Sequence, residues 1–136
     1  MLRHKSRTAA EVENDKGWDF HELGRHADAL RCHDAAIRLS RKFALAWVNK
    51  GIALKNLNRF EEALSCYDTV IRSIDPDFKK AWYNKASAIL AQLQARGSMA
   101  STDLVDIISC LERALEIDPD YAIAQTLLKR VKAAMQ

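Results

Sequence analysis

Residues return along this chain at a fixed interval. Trp47-Val48-Asn49-Lys50-Gly51 reappears as Trp82-Tyr83-Asn84-Lys85-Ala86, 35 positions on, and Ala29-Leu30 reappears as Ala63-Leu64, 34 positions on. Gly17 and Gly51, Phe20 and Leu54, Ala36 and Val70, and Ile37 and Ile71 keep the interval of 34. A third copy follows as Ile107-Ile108, Leu111, Ala114-Leu115 and Asp118-Pro119. A period of this size describes helical hairpins, each unable to bury its apolar side alone and each covered by the next in a stack. Such a stack offers partners an extended surface rather than an enclosed catalytic pocket.

The spacing within a copy has a packing reason. Small residues at Gly17, Gly51 and Ala86, and at Ala29 and Ala63, let two antiparallel helices approach closely. Large residues three or four positions away fill the flanking space, as ridges fill grooves. Asp75-Pro76 and Asp118-Pro119 close one hairpin and open the next, because proline stops a helix yet suits its first turn. The pattern predicts seven helices over Ala9–Leu23, Ala27–Leu39, Phe43–Leu57, Phe60–Ile74, Phe78–Ala95, Asp103–Ile117 and Asp120–Met135. Thr8 and Glu11 form a capping box for the first. The last places Leu127, Leu128, Val131 and Met135 on one face and Lys129, Lys132 and Gln136 on the other, which suits a helix capping the final hairpin.

The copies differ in informative places. The first has Glu13 where the others carry Trp47 and Trp82, Arg41 near the expected proline, and His26 and His33 where the second has Phe60 and Tyr67. The third carries extra residues, which fall in 94–103 and read as a lengthened helix followed by a loop.

With Trp47, Gly51, Leu54, Ala63, Tyr67, Val70 and Pro76, the second copy resembles the tetratricopeptide repeat, W-x2-L-G-x2-Y then A-x3-F then P. The resemblance implies an all-α, right-handed solenoid of three hairpins at about 9–42, 43–77 and 78–119, capped by a helix at 120–135, and the basic residues Arg3, Lys5 and Arg7 make 1–8 a flexible tail before it. It further implies a non-catalytic module that binds a partner peptide or helix in a concave groove lined by the first helix of each hairpin. The matching positions are Trp18 and His21, then Val48, Asn49, Ile52 and Lys55, then Lys80, Tyr83, Asn84 and Ser87, with Thr126 and Arg130 from the last helix. Apolar anchors beside Lys and Asn suit such a segment, and Lys55, Lys80 and Arg130 bias it towards some acidic character.

Some members of the family hold the acidic C-terminal tails of heat-shock chaperones in a clamp of Lys, Arg and Asn. Of the matching positions here only Asn49 and Lys80 fit. Asn14 stands where that clamp has Lys, Trp18 where it has Asn, and Asn84 where it has Arg. The chain therefore departs from a chaperone-tail clamp.

Composition narrows the alternatives. The 136 residues, 49% hydrophobic with 4 Gly and 2 Pro, suit one domain with a continuous core and few turns. There is no apolar run long enough to span a membrane and no signal-like start, so the expected location is the cytoplasm. The net charge of +3 comes from Arg3, Lys5 and Arg7, and a neutral body disfavours nucleic acid, including recognition by a pentatricopeptide-like solenoid. Self-association through the imperfect first repeat or the long third hairpin is the other alternative.

No chemistry emerges from the reactive residues. Cys32, Cys66 and Cys110 fall at equivalent sites on successive second helices, about 10 Å apart, too far for a disulfide or a shared metal ion. His21, His26 and His33 lack ligand spacing, and His26 and His33 substitute for aromatic packing residues. Cys32-His33-Asp34 are helix neighbours pointing about 100° apart, so they make no nucleophile–base pair. No cofactor or metal is called for.

Overall fold

A computed structural model describes residues 6–136, all of whose regular structure is helical. The helices are α1 (Ala9–Glu22), α2 (His26–Leu39), α3 (Ala44–Asn56), α4 (Phe60–Thr69), α5 (Lys79–Arg96), α6 (Ser101–Ile117) and α7 (Ala122–Ala134), with a π-helical turn at Val70–Ile74 extending α4. They pair as α1–α2, α3–α4 and α5–α6, and each pair packs on the next, with α7 against α6. The result is the right-handed three-hairpin solenoid that the resemblance implies. Of the expected tail at 1–8, residues 1–5 lie outside the described residues. Arg7 pairs with Asp15, and Thr8 caps α1 in the anticipated box with Glu11.

Within a hairpin, the glycines set the distance between helices. A Cβ added at Gly17 would lie 2.6 Å from the His33 ring, and one at Gly51 would lie 2.4 Å from the Tyr67 ring. His33 and Tyr67 are therefore equivalent wedges, each a ring laid on a glycine of the facing helix. Both are fully buried, as is Leu111, their counterpart in the third hairpin, which shares a core cluster with Ala86. The hairpin turns also correspond: Gly24 (φ 74) and Asn58 (φ 60) both adopt the left-handed conformation, where Asn is one of the few tolerated side chains.

Each hairpin junction closes with one repeated hydrogen bond. Trp47 Nε1 donates to the carbonyl of Arg41 and Trp82 Nε1 to that of Pro76, both at 2.8 Å, and Gln125 Nε2 donates to that of Pro119 at 2.6 Å. The first junction thus keeps its geometry without a proline, since only a carbonyl is required. The third shows that α7 stands where the first helix of a further hairpin would. Its Lys129, however, is exposed at the place of Gly17, Gly51 and Ala86, and a long charged side chain keeps another helix from closing on that spot. A second repeated contact, Lys50–Asp34 at 2.8 Å and Lys85–Asp68 at 2.7 Å, ties each second helix to the following first helix.

Several boundaries differ from the sequence expectation. The extra residues of the third hairpin lengthen α5 to Arg96 and start α6 at Ser101, two residues before the expected Asp103. Only Gly97–Ala100 remains as loop, because Gly97 (φ 68) ends α5 and the Asp103 carboxylate accepts the Ala100 N–H at the start of α6. α7 starts at Ala122, after Tyr121, the counterpart of Phe43 and Phe78 at the entry to α3 and α5.

Candidate functional site

The first helices α1, α3 and α5 lie side by side and line the inner face of the solenoid. A cavity of about 450 Å³ there is lined by Arg7, Asn14, Asp15, Trp18, Asp19, Leu45, Asn49 and Lys80. A second, of about 520 Å³, shares Leu45 and Lys80 with it and continues over Phe78, Lys79, Ile117, Asp77 and Asp118. Together they make one groove with an apolar floor of Leu45, Phe78 and Ile117 and charges of both signs along its rim.

Of the residues expected to line the groove, Trp18, Asn49 and Lys80 line the first cavity. Trp18 is 38% exposed, stacks on His21 at 4.5 Å between ring centroids, and donates from Nε1 to Glu22 at 3.0 Å, so one edge of its ring is fixed. Burial first, and then the neighbouring His26, lower the His21 pKa. Lys55 Nζ donates to Ser87 Oγ at 3.3 Å, linking α3 to α5, and burial lowers its pKa. Asn84 spends its amide on the carbonyl of Lys80 at 2.7 Å, and Tyr83 lies edge-on to Tyr121 at 5.8 Å. Arg130 and Thr126 are exposed on α7 and lie outside both cavity linings.

Two expectations need correction. Val48 is 1% exposed and belongs to the core cluster with Ala81 and Ala88 of α5, so it offers a partner no surface. It shares a repeat position with Tyr83, but its side chain is too short to reach past its neighbours. Ile52 is half-buried against the same cluster and serves chiefly to pack α3.

Asn49 lines the groove yet is only 7% exposed, for a reason not visible in the repeat. Its Nδ2 donates to Asn14 Oδ1 at 3.1 Å, and the same oxygen lies 2.8 Å from His33 Nδ1. An amide oxygen has no hydrogen to give, so His33 is the Nδ1-protonated tautomer and donates. Burial holds the His33 pKa down to about 4, with His21 adding to the effect and Asp34 opposing it. The polar triad joins α1, α2 and α3 beneath the groove.

Sequence reasoning missed Leu45, which precedes Trp47 by two as Lys80 precedes Trp82. That correspondence was a sufficient signal. Arg7, Asp15 and Asp19 carried none, since they lie at positions of α1 and its entry that the repeat leaves free. Among the described residues no three His, Cys, Asp or Glu side chains converge as metal ligands, and no helix is long and apolar enough to cross a membrane. The thiols of Cys32, Cys66 and Cys110 are free and buried, and burial raises the pKa of all three, that of Cys66 to about 11.

No curated protein matches the sequence. Solved structures do: the first TPR of Spaghetti (RPAP3), bound to the HSP90 peptide SRMEEVD, is 20% identical with a TM-score of 0.78, covering 97% of both chains. The first TPR domain of human RPAP3 is 22% identical with a TM-score of 0.80 over 93% of this chain and 91% of its own. A thermophilic TPR protein of Thermus thermophilus is 20% identical with a TM-score of 0.82 over 93% of this chain and 66% of its own. At these identities the likeness is one of fold. The tetratricopeptide repeat family model matches residues 14–64 and 48–99, more than half of the chain and in register with the glycine–ring hairpins described above. The chain belongs to the tetratricopeptide repeat family.

Proposed function

We propose that this protein is a non-catalytic interaction module that holds an extended segment of a partner protein along the α1–α3–α5 groove. The observation that carries this reading is the continuous groove: an exposed indole at Trp18, an apolar floor at Leu45, and Lys80 shared by both cavities. An apolar anchor flanked by fixed polar groups is what a bound segment needs for affinity and register. Trp18, His21, Lys80 and Asn49 supply the first-repeat end, and Lys55, Ser87, Asn84 and Tyr83 the third-repeat end, with Arg130 beyond them.

Similar solved structures hold peptides ending in EEVD, and Lys80 gives this groove a partial match to such a ligand, while Lys79 is paired with Asp118. The rest of the lining differs. Asp15 and Asp19 lie in the groove, Arg7 is paired with Asp15, and Asn84 is spent on a backbone carbonyl. The reading is therefore a segment with apolar anchors and modest negative charge, rather than a terminal carboxylate tail. Burial of the three thiols, which raises their pKa values, supports a packing role for the cysteines, and three free cysteines suit a reducing cytoplasm.

The test is affinity capture from cell lysate with wild type and Trp18→Ala/Lys80→Ala, after circular dichroism shows equal helicity. A partner captured by wild type and lost by the double variant supports the groove. A partner captured equally by both refutes it.

A further inference from the structure

The groove floor carries one polar atom whose orientation is set from behind. Asn14 Oδ1 receives two hydrogen bonds, from His33 Nδ1 and Asn49 Nδ2, which leaves Asn14 Nδ2 with no partner among the described residues. Among the described residues the buried side-chain atoms without a partner are His21 Nδ1 and Tyr67 Oη; Asn14 Nδ2 is not one of them, and its residue, 3% exposed, lines the first cavity. Asn14 lines the groove, and His33, 1% exposed, does not.

The geometry points to His33 as a positioning residue: by holding the Asn14 oxygen inward it turns the Asn14 NH2 to the groove, where it donates to a main-chain carbonyl of the bound segment. This rests on the groove reading above and names the chemistry that the floor recognises. An asparagine amide is otherwise free to turn over, offering acceptor or donor with little preference. The Asn49 donor behind it opposes the turn, because a turned amide would set its NH2 against the Asn49 NH2, and the orientation so chosen selects the Nδ1-protonated His33 as the second donor. The floor is thereby a fixed donor. Main-chain carbonyls occur at every residue of an extended segment, so the contact sets depth and register without reading sequence. Tyr67, the wedge of the second hairpin, has no such role, since its facing first helix carries buried Val48 at the place of Asn14. The device belongs to the first hairpin alone, where histidine replaces the tyrosine.

The test uses a dodecamer selected from a random phage-displayed library against the wild-type chain, with affinities measured by calorimetry for wild type, Asn14→Ala, His33→Phe and the double variant. Phenylalanine keeps a ring on Gly17, as Tyr67 does on Gly51, and removes the donor. Loss of one hydrogen bond from Asn14 predicts about tenfold weaker binding for Asn14→Ala, and a smaller loss for His33→Phe. The decisive result is the cycle: if His33 acts through Asn14, His33→Phe costs nothing further on the Asn14→Ala background. Equal losses from His33→Phe on both backgrounds overturn the proposal, since they mark a purely structural effect. An Asn14→Ala variant that binds as well as wild type overturns it too, while leaving the groove reading intact. If the dodecamer binds Trp18→Ala/Lys80→Ala as tightly as wild type, the groove reading fails and this proposal with it. Should His33→Phe not fold, nitrogen NMR of the wild type decides: the Asn14 side-chain NH2 must shift on adding the dodecamer while His33 stays the Nδ1-protonated tautomer, and an unmoved NH2 overturns the proposal.

Discussion

His33 makes the stability of this fold depend on mild acid. Its imidazole is 1% exposed and its pKa lies at about 4, against an ordinary 6.5, chiefly because burial disfavours the charged ring. A folded pKa below the unfolded one means that the unfolded chain takes up the proton first. Stability is then full above pH 6.5 and falls as pH drops from 6.5 towards 4, the unfolded state binding more protons throughout that window. The separation of pKa values sets the scale: at 1.36 kcal/mol per unit, full protonation of the unfolded chain alone costs the fold about 3 kcal/mol. The groups facing His33 are His21 from α1 and Asp34 on its own helix, which oppose each other, while α3 presents the neutral Asn49. Urea unfolding followed by circular dichroism between pH 8 and 4 reads the effect directly, with His33→Phe as the reference. The carboxylates whose folded pKa values are lowered, Glu62 by its hydrogen bond from Arg59 and Asp118 by that from Lys79, lose their contribution at lower pH and in both proteins alike. The difference between the two curves therefore isolates the histidine. Parallel curves between pH 6.5 and 4 would show that His33 is not buried as a neutral donor, and the triad argument would fall.

Three further outcomes follow from the packing. Gly51→Ala, whose Cβ would meet the Tyr67 ring at 2.4 Å, lowers stability by about 2 kcal/mol in thermal or urea unfolding, and an unchanged midpoint would refute the ring-on-glycine account. Tyr67→Phe removes a buried hydroxyl that has no partner among the described residues, so it leaves stability equal or raises it by up to about 1 kcal/mol; a clear loss would reveal a missing bond. Cys66, buried and with its pKa raised to about 11, reacts with a thiol reagent at neutral pH only as fast as the protein unfolds, and prompt labelling of the folded chain would contradict its place in the core.

The period of 34 and 35 residues determined most of this protein. Gly17, Gly51 and Ala86 announced where helices approach, because close packing admits only small side chains and the need recurs in every hairpin. The same logic placed His33 in the core as a stand-in for a tyrosine, whereas the inner-face positions of Trp18 and Lys80 came from the family resemblance. What a repeat does not encode is how one copy differs from the next once neighbours are in place. Val48 and Tyr83 hold one repeat position, yet Val48 is buried and Tyr83 only partly so, because side-chain length against a particular neighbour decides exposure. The triad of Asn14, His33 and Asn49 joins residues 19 and 35 positions apart on three helices, and no spacing rule connects them. Hydrogen bonds extend only about 3 Å and are directional, so which polar groups meet beneath the groove was decided by the tertiary packing of α1, α2 and α3.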